Sequence, residues 1–470
     1  MPPTGSAFGA RRQSAIKARR SAPRPPNWIS AAHTRRRVCS VMDSSSLVRA
    51  WTHGTLVAEF DLVRVFNDAH PDFCDGSARL EMHGSQWRLL IDANLTPAQA
   101  SAYATERQGK VVPGKHFPQE VLFCIEGHDR DGNHWRFEQR TLQRMTESGR
   151  SNQLPTVSPV VIEETIESAT VTLPSVIETP MTSVCFALER GASLDHLHRQ
   201  MVETATDNGV QVHFLDRTQS ICCGGVTLEA ATYPYDHGHD LVFSTTDTVD
   251  AERLAQSLAD ALTFLLARPV VPAAVVRAGE PTTCQLRHHD WCHRAQRGNL
   301  KPLPNPGLVV DHAGVESFWK ALPLYIGDLN QPRSTDSARL DQMWWQVVFG
   351  EQNPTWTRFV VICACIEACS NLLLPASNPR VNDLATSGFL TRQHVETWGQ
   401  VRHRSVHGTI PKEIGDHEMG QLWVLHDALI CCTLHAIGYS GKRKDFSTLA
   451  WPVVDFTASP APQHRSSSVG

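Results

Sequence analysis

Apolar and polar residues alternate in short runs between about residues 47 and 276. Six runs have the β-branched and aromatic content of β-strands, and Gly, Asp, Asn or Pro residues separate them. They are GTLVAEFDLVRVF, SQWRLLIDANL, EVLFCIEGHD, HWRFEQRTL, VQVHFL and DLVFSTT. An Asp-Gly pair between the third and fourth runs predicts a hairpin. This density of strands and turns predicts an antiparallel, sandwich-like region.

Two segments of this region depart from the alternating pattern. Residues 248–269 carry leucines at helical spacing and predict a helix that ends before the proline at its last position. The leucines at this spacing are Leu254, Leu258, Leu262 and Leu265. Residues 154–180 are rich in Pro, Thr, Val and Glu, and we interpret them as a linker or an insertion.

From about residue 309 the spacing becomes helical. Four or five amphipathic segments follow one another over short connections, which predicts an antiparallel helical bundle. Residues 353–375 are apolar nearly all round, so that helix is expected to be central and buried. Residues 391–408 run from a threonine suited to an N-cap to a glycine suited to end a helix. The chain is therefore predicted to be an α+β protein, with a β-rich region at 45–308 and an all-α bundle at 309–440.

The two ends of the chain show neither period. Residues 1–44 are rich in Arg, Ser, Ala and Pro and are predicted to be disordered, as is the tail at 441–470. The basic extension is consistent with an organelle presequence, with a nucleic-acid-binding tail, or with translation upstream of a true start at Met42. The last interpretation is preferred over Met1 as the start, because patterned sequence begins directly after Met42.

Composition narrows the class of partner. The first 42 residues hold nine basic residues and no acidic one, so 35 basic residues face 48 acidic ones in the rest of the chain. A body this acidic argues against broad, unspecific nucleic-acid binding, and a site for a polyanion must be local. Polar residues interrupt the longest apolar run, at 359–374, which argues against a membrane partner. The 13 scattered cysteines favour reduced thiols in a cytoplasmic protein.

The segment RHRSVHG, residues 402–408, groups the residue types that RNA cleavage needs. Cleavage through the 2′-hydroxyl requires one group that moves the proton of the attacking hydroxyl and another that neutralises charge on the transition state. Histidine, with an ordinary pKa of roughly 6.5, meets the first need, and the planar guanidinium of arginine meets the second. The segment therefore predicts phosphate chemistry that requires no metal or other cofactor.

Spacing within this segment argues against a site built by one chain. On an ideal helix of about 100° per residue, Arg402 and His407 lie about 140° apart, whereas His403 and His407 share a face. Two copies of the chain that face each other across a two-fold axis would bring two arginines and two histidines together. A helix that ends at Gly408 would also place His407 where the helix dipole favours its cationic form.

The context of this pair carries more weight than the pair itself, because arginine and histidine at such a spacing are common by chance in a chain with 23 histidines. The pair stands late in a long helix of a compact bundle, directly before a glycine, with another long amphipathic helix behind it. This arrangement resembles the HEPN superfamily, whose signature is Arg, four to six residues and His, often with Asn, Asp or His directly after the Arg. The resemblance covers residues 309–439, and the β-rich region ahead of it is similar in architecture to the ApeA-type anti-phage proteins.

The resemblance implies a metal-independent endoribonuclease in anti-phage defence, active as a homodimer, with Arg402 and His407 as catalytic residues. His403 matches the polar second position of the signature, and Arg404 makes the segment more basic than usual. Glu367 resembles an acidic residue that some members place near the site; in a buried position it would need Arg402 or Arg404 as a partner. The implied substrate is RNA, with transfer RNA among the candidates, and the implied trigger of the β-rich region is phage-derived. Some HEPN domains keep the fold without cleaving RNA, so a non-catalytic module that binds a nucleotide or a protein is the alternative.

A second group of residues supplies ligand types that suit zinc. Cys284, His288, His289, Cys292 and His293 fall within ten positions. Their spacing is not that of a zinc finger, because no Cys-x-x-Cys pair occurs there and no second cluster matches it. A polar segment between domains is the simpler interpretation, and a zinc hydrolase is a third hypothesis for the function.

Overall fold

Among the described residues, fourteen strands form one antiparallel sheet in the N-terminal half, and helices follow in the C-terminal half. The computed structural model describes residues 44–96, 98–99, 122–140, 144–147, 158–174, 180–189, 199–206, 209–216, 219–235, 238–288, 301–304, 312–333, 335–350, 355–374, 378–407 and 415–459. All of them belong to the second of the chain's two units, Val41–Gly470. The predicted α+β class is confirmed.

The helices and strands follow one another with short connections in most of the described chain. In chain order they are α1 (Ser44–Thr52), β1 (Val57–Phe66), β2 (Cys74–His83), β3 (Gln86–Leu95), β4 (Phe123–Asp129), β5 (His134–Arg140), β6 (Arg144–Glu147), β7 (Ser158–Ile166), β8 (Ser168–Leu173), β9 (Met181–Glu189), β10 (Arg199–Thr206), β11 (Gly209–Asp216), β12 (Gln219–Cys223), β13 (Val226–Tyr235), β14 (Gly238–Thr245), α2 (Ala251–Leu266), β15 (Ala274–Ala278), β16 (Thr282–Arg287), α3 (His312–Ile326), α4 (Thr335–Gly350), α5 (Thr355–Leu373), α6 (Val381–Thr386), α7 (Arg392–Val406), α8 (Asp416–Ala436), β17 (Gly441–Lys444) and β18 (Val453–Phe456). The strand order in the large sheet is β12-β13-β14-β9-β15-β16-β8-β5-β4-β1-β2-β3-β7-β6.

Local sequence accounts for six of the sixteen described strands of the β-rich region and for helix α2. The six predicted strands correspond to β1, β3, β4, β5, β11 and β14, and the predicted helix is α2, whose four spaced leucines are buried. In the predicted hairpin between β4 and β5, the carboxylate of Asp129 accepts from the backbone N–H groups of Asp131 and Asn133. The interpretation of residues 154–180 as a linker is wrong for their described part, because β7 and β8 pair within the sheet there. Their Val, Ile and Thr content favours strands, and the flanking prolines obscured it.

The sheet is continuous, whereas a sandwich divides its strands between two sheets. Residue pairs between β5 and β8, such as Trp135 with Val171, join its two halves. Strand β9 is buried on both faces of this sheet. Val184 and Phe186 belong to the cluster that includes the helices, while Cys185 belongs to the cluster formed mainly by other strands. The predicted antiparallel character is confirmed, and β9 contributes to two buried clusters from its two faces.

The two buried clusters differ in what they contain. The first lies between α1 and strands of the sheet, where Trp51 stacks on Trp87 at 4.7 Å between ring centroids. The second begins at β9 and α2 and continues into the helices, with Trp344 of α4 and Leu429 of α8 among its fully buried members. Apolar packing thus joins the sheet to the bundle, and the predicted domain boundary at residue 308 lies outside the described residues.

The C-terminal tail is more ordered than its sequence indicates. The prediction of disorder from residue 441 is wrong for residues 441–459, in which β17 and β18 form a hairpin. Arg443 of β17 is buried against Asp427 of α8, and Phe446 is buried beside them. Packing on α8, which local pattern does not reveal, orders this segment. The predicted disordered extension at 1–44 lies outside the described residues apart from Ser44.

None of the described helices combines the length and the apolar character needed to cross a bilayer.

Candidate functional site

Helix α7 carries the candidate site, and local sequence sets its ends. The hydroxyl of Thr391 accepts from the N–H of His394, and the ring Nδ1 of His394 accepts from the N–H of Thr391. This reciprocal pairing caps the first turn. After the last helical residue, the N–H of His407 donates to the carbonyl of His403. The predicted start at Thr391 is confirmed, the helix continues to Val406, and the predicted terminal Gly408 lies outside the described residues. His407 lies at the negative end of the helix dipole.

Arg402 presents its guanidinium at the surface of the bundle. Its Nε donates to Oε1 of Glu367 on α5, and its Cζ lies 5.6 Å from the ring centroid of Trp398, one turn earlier on α7. Trp398 is itself fixed, because its indole N–H donates to the carbonyl of Cys363 at 3.2 Å. The guanidinium is therefore oriented by a carboxylate and an aromatic face, and its terminal nitrogens have no hydrogen-bond partner among the described residues.

Glu367 is half-exposed and pairs with Arg402, one of the two partners that the sequence suggested for it. Its side chain is 40% exposed and that of Arg402 is 46% exposed. Helix α5 is apolar over most of its surface, but position 367 falls on the side that faces α7 and solvent. An exposed ion pair of this kind contributes only about 0–1 kcal/mol to stability. The main consequence of this ion pair is that it orients the Arg402 guanidinium.

His403 and His407 form a pair at the C-terminal end of α7. Their ring centroids are 4.4 Å apart and their planes are tilted by 58°. Residues four apart share a helix face, so this contact follows from the sequence. Both residues are exposed, and proton donors and acceptors at two adjacent imidazoles are open to a ligand.

Arg404 is directed away from Arg402 and towards α8. Its NH2 donates to Oε1 of Gln421 at 2.6 Å, and its NH1 lies 3.9 Å from Oε1 of Glu418. Gln421 is held further by donation to Gln400 at 3.3 Å. Arg404 therefore contributes to the packing of α7 on α8. The sequence had predicted that it would support the site beside Arg402.

Arg402 and the two histidines do not converge in one chain. Among the described residues, the contacts of Arg402 are with Glu367 and Trp398, whereas His403 and His407 contact each other. This separation agrees with the angle of about 140° expected from the spacing of Arg402 and His407 on a helix. A single protomer presents an arginine and a histidine pair on different sides of the same helix end.

A cavity of about 350 Å³ opens beside Arg402. Three elements contribute to it: the end of α5, the segment that enters α6, and α7. Its lining includes Glu367, Asn371, Asn378, Arg380, Asn382, Trp398 and Arg402. Sequence reasoning missed Arg380 and the three asparagines as site residues. Asn378, Arg380 and Asn382 belong to a short polar stretch without a recognisable motif, Asn371 lies near the end of an apolar helix, and all four reach Arg402 only through the packing of the helices.

The residues of the zinc hypothesis are not assembled in the described part of the chain. Cys284 lies in β16 and is fully buried, and burial raises the pKa of its thiol to about 12. The ring of His288 donates from Nε2 to the carbonyl of Ser85 at 2.6 Å. His289, Cys292 and His293 lie outside the described residues, within which no group of three or more potential metal ligands occurs.

Comparison of the chain with protein-family models, with curated proteins and with solved structures gave no match.

Proposed function

We propose that the protein is a metal-independent endoribonuclease of the HEPN type whose site is completed by a second copy of the chain. The observation that carries this proposal is the exposed guanidinium of Arg402, oriented by Glu367 and Trp398, at the same helix end as the His403 and His407 pair. Arginine would stabilise the charge of the phosphorus-centred transition state, and histidine would move protons to and from the 2′-hydroxyl and the leaving oxygen.

The dimer is part of the proposal because the two kinds of group lie apart in one protomer. A two-fold axis near the end of α7 would place the arginine of one copy opposite a histidine of the other. The HEPN resemblance adds a role in anti-phage defence, in the cytoplasm, with the β-rich region as the sensor of a phage-derived trigger. Continuous apolar packing from the sheet into the bundle supports such coupling, because a displacement of the strands would shift the helices packed against them.

Substitution of Arg402 or His407 by alanine tests the proposal. Either change is expected to lower the rate of RNA cleavage by at least roughly 100-fold while the circular dichroism spectrum stays unchanged. Cleavage would be measured on total RNA and on transfer RNA with and without a chelator, which is expected to have no effect. Arg392→Ala, an exposed residue at the opposite end of α7, is the matched control. Full cleavage by both variants would contradict the proposal.

A non-catalytic binding module is the alternative, and the separation of Arg402 from His407 in one protomer favours it. In that case the exposed arginine would hold a nucleotide or an acidic segment of a partner, and no RNA product would form at any protein concentration. The rate of product formation by wild-type protein, measured over a range of concentrations that spans dimerisation, separates the two functions.

A further inference from the structure

The cavity beside Arg402 has the lining of a nucleotide subsite. Two arginines reach it from different elements, Arg380 at the entry to α6 and Arg402 on α7. Three asparagines line it as well, namely Asn371, Asn378 and Asn382. We infer that this cavity binds one nucleotide of the RNA strand next to the phosphodiester that is cleaved, with its phosphate at Arg380 and its base at the asparagine amides.

The charge of the lining favours a phosphate. Arg380 and Arg402 contribute two positive charges and Glu367 one negative charge, so the cavity is locally cationic on a body that is acidic. Glu367 is engaged with Nε of Arg402, which leaves the terminal nitrogens of that guanidinium for an anion. Asp383 is turned towards the backbone, where its Oδ2 accepts from the N–H of Arg380 at 3.0 Å. The planar guanidinium of Arg380 is exposed and suits a singly or doubly charged phosphate.

The neutral part of the lining favours a base over an acidic peptide. Asparagine amides offer both donors and acceptors, and the edges of nucleobases present the same mixture. A carboxylate side chain has acceptors alone and would leave the amide oxygens without donors. The volume of about 350 Å³ lies near the lower end of small-molecule pockets, which span roughly 300–1,000 Å³, and fits a single nucleotide.

The inference rests on the proposed function, because Arg402 is both a lining residue of the cavity and the proposed catalytic arginine. One strand would then place its flanking nucleotide in the cavity and its scissile phosphate at the terminal nitrogens of Arg402. The subsite would determine which base the enzyme prefers beside the cut, since Asn382 and its neighbours contact the base and Arg380 contacts the phosphate.

Binding of a short, fluorescein-labelled 2′-O-methyl oligoribonucleotide to the full chain tests this inference, because the probe cannot be cleaved. Arg380→Ala is expected to weaken binding of the probe by roughly tenfold and to reduce the slope of log K against log salt concentration by about 0.7. Arg380→Lys, which keeps the charge, is expected to restore most of the binding. Asn382→Ala is expected to reduce the preference among four homopolymeric probes by roughly 5-fold to 100-fold.

Arg392→Ala is the matched control, since that arginine is 92% exposed and pairs with Glu396 at the far end of α7. On cleavable RNA, Arg380→Ala is expected to raise KM with little change in kcat. The reason is that Arg380 would contact the RNA equally strongly in the substrate complex and in the transition state.

Three results would overturn the subsite: wild-type protein that fails to bind the probes, variants of Arg380 and Asn382 that bind like wild type, or an aspartate-rich peptide that binds with the same dependence on Arg380. If binding of the probe depends on Arg380 while natural RNA is not cleaved, the subsite stands and the ribonuclease proposal fails.

Discussion

The histidines at the two ends of helix α7 have opposite surroundings. At the N-terminal end His394 is 2% exposed, and its Nε2 lies 3.1 Å from Oδ2 of Asp427 on α8. The other oxygen of Asp427 accepts from Arg443 at 2.7 Å and from the backbone N–H of Phe446 at 2.8 Å. At the C-terminal end Arg402, His403 and His407 are exposed, and the guanidinium nitrogens of Arg402 are only partly engaged in hydrogen bonds.

The difference shows how surroundings decide what an ionisable residue does. Burial alone would raise the pKa of the Asp427 carboxyl, but its contacts with His394 and Arg443 outweigh burial and hold the pKa below its usual value. A buried ion network of this kind joins α7, α8 and the C-terminal hairpin, so its function is structural. The exposed end stabilises the fold little and keeps hydrogen-bonding capacity for a ligand.

The largest effect on stability is expected from Asp427→Asn. The change removes the charge that compensates Arg443, and an uncompensated buried charge costs about 3–5 kcal/mol. The free energy of unfolding, measured in urea by tryptophan fluorescence, should fall by that amount, and the hairpin of β17 and β18 should become sensitive to protease. Asp416→Asn, at an exposed position on the same helix, should cost less than about 1 kcal/mol. Equal losses in the two variants would contradict the structural role of Asp427.

An intermediate effect of opposite sign is expected from His426→Leu. His426 of α8 is 1% exposed, and neither ring nitrogen has a hydrogen-bond partner among the described residues. A buried polar group in this state costs about 1–3 kcal/mol, so its replacement by leucine should raise the free energy of unfolding by a similar amount.

The gain from His426→Leu should depend on pH. Burial, with a smaller contribution from the charge of Arg358, lowers the pKa of His426 to about 3. The unfolded chain binds a proton at this residue below about pH 6.5, whereas the folded chain does not until about pH 3, so wild-type stability falls as pH decreases through this window. The advantage of the leucine variant should therefore be larger at pH 5 than at pH 7. His417→Leu, at an exposed position of α8, should show neither the gain nor the pH dependence.

The smallest effect on stability is expected from Glu367→Gln at the exposed end. Loss of a half-exposed ion pair should change the free energy of unfolding by less than about 1 kcal/mol. The rate of RNA cleavage should nevertheless fall by roughly tenfold, because the Arg402 guanidinium loses the carboxylate that orients it. Urea denaturation and a cleavage assay on the same preparation measure both quantities. A large loss of stability without a change in kcat would reverse the contrast between the two ends of α7.

Short-range patterns explain what could be predicted of the fold. The ends of α7 follow from the cap at Thr391 and from helical spacing, and six strands follow from alternation and turn residues. The continuous sheet, the C-terminal hairpin and the other ten described strands of the β-rich region were missed. The order of the sheet and the packing of the hairpin depend on residues that are distant along the chain.

The candidate site divides in the same way. The sequence by itself determined that Arg402, His403 and His407 stand together at a helix end, with the two histidines on one face, because the 3.6-residue period acts between neighbours. Only the tertiary structure decided that Arg402 pairs with Glu367, that Arg404 turns to Gln421, and that Arg380 reaches the same cavity as Arg402. These outcomes depend on the angles at which the helices pack, and such angles are set by buried side chains from the whole bundle rather than by adjacent residues.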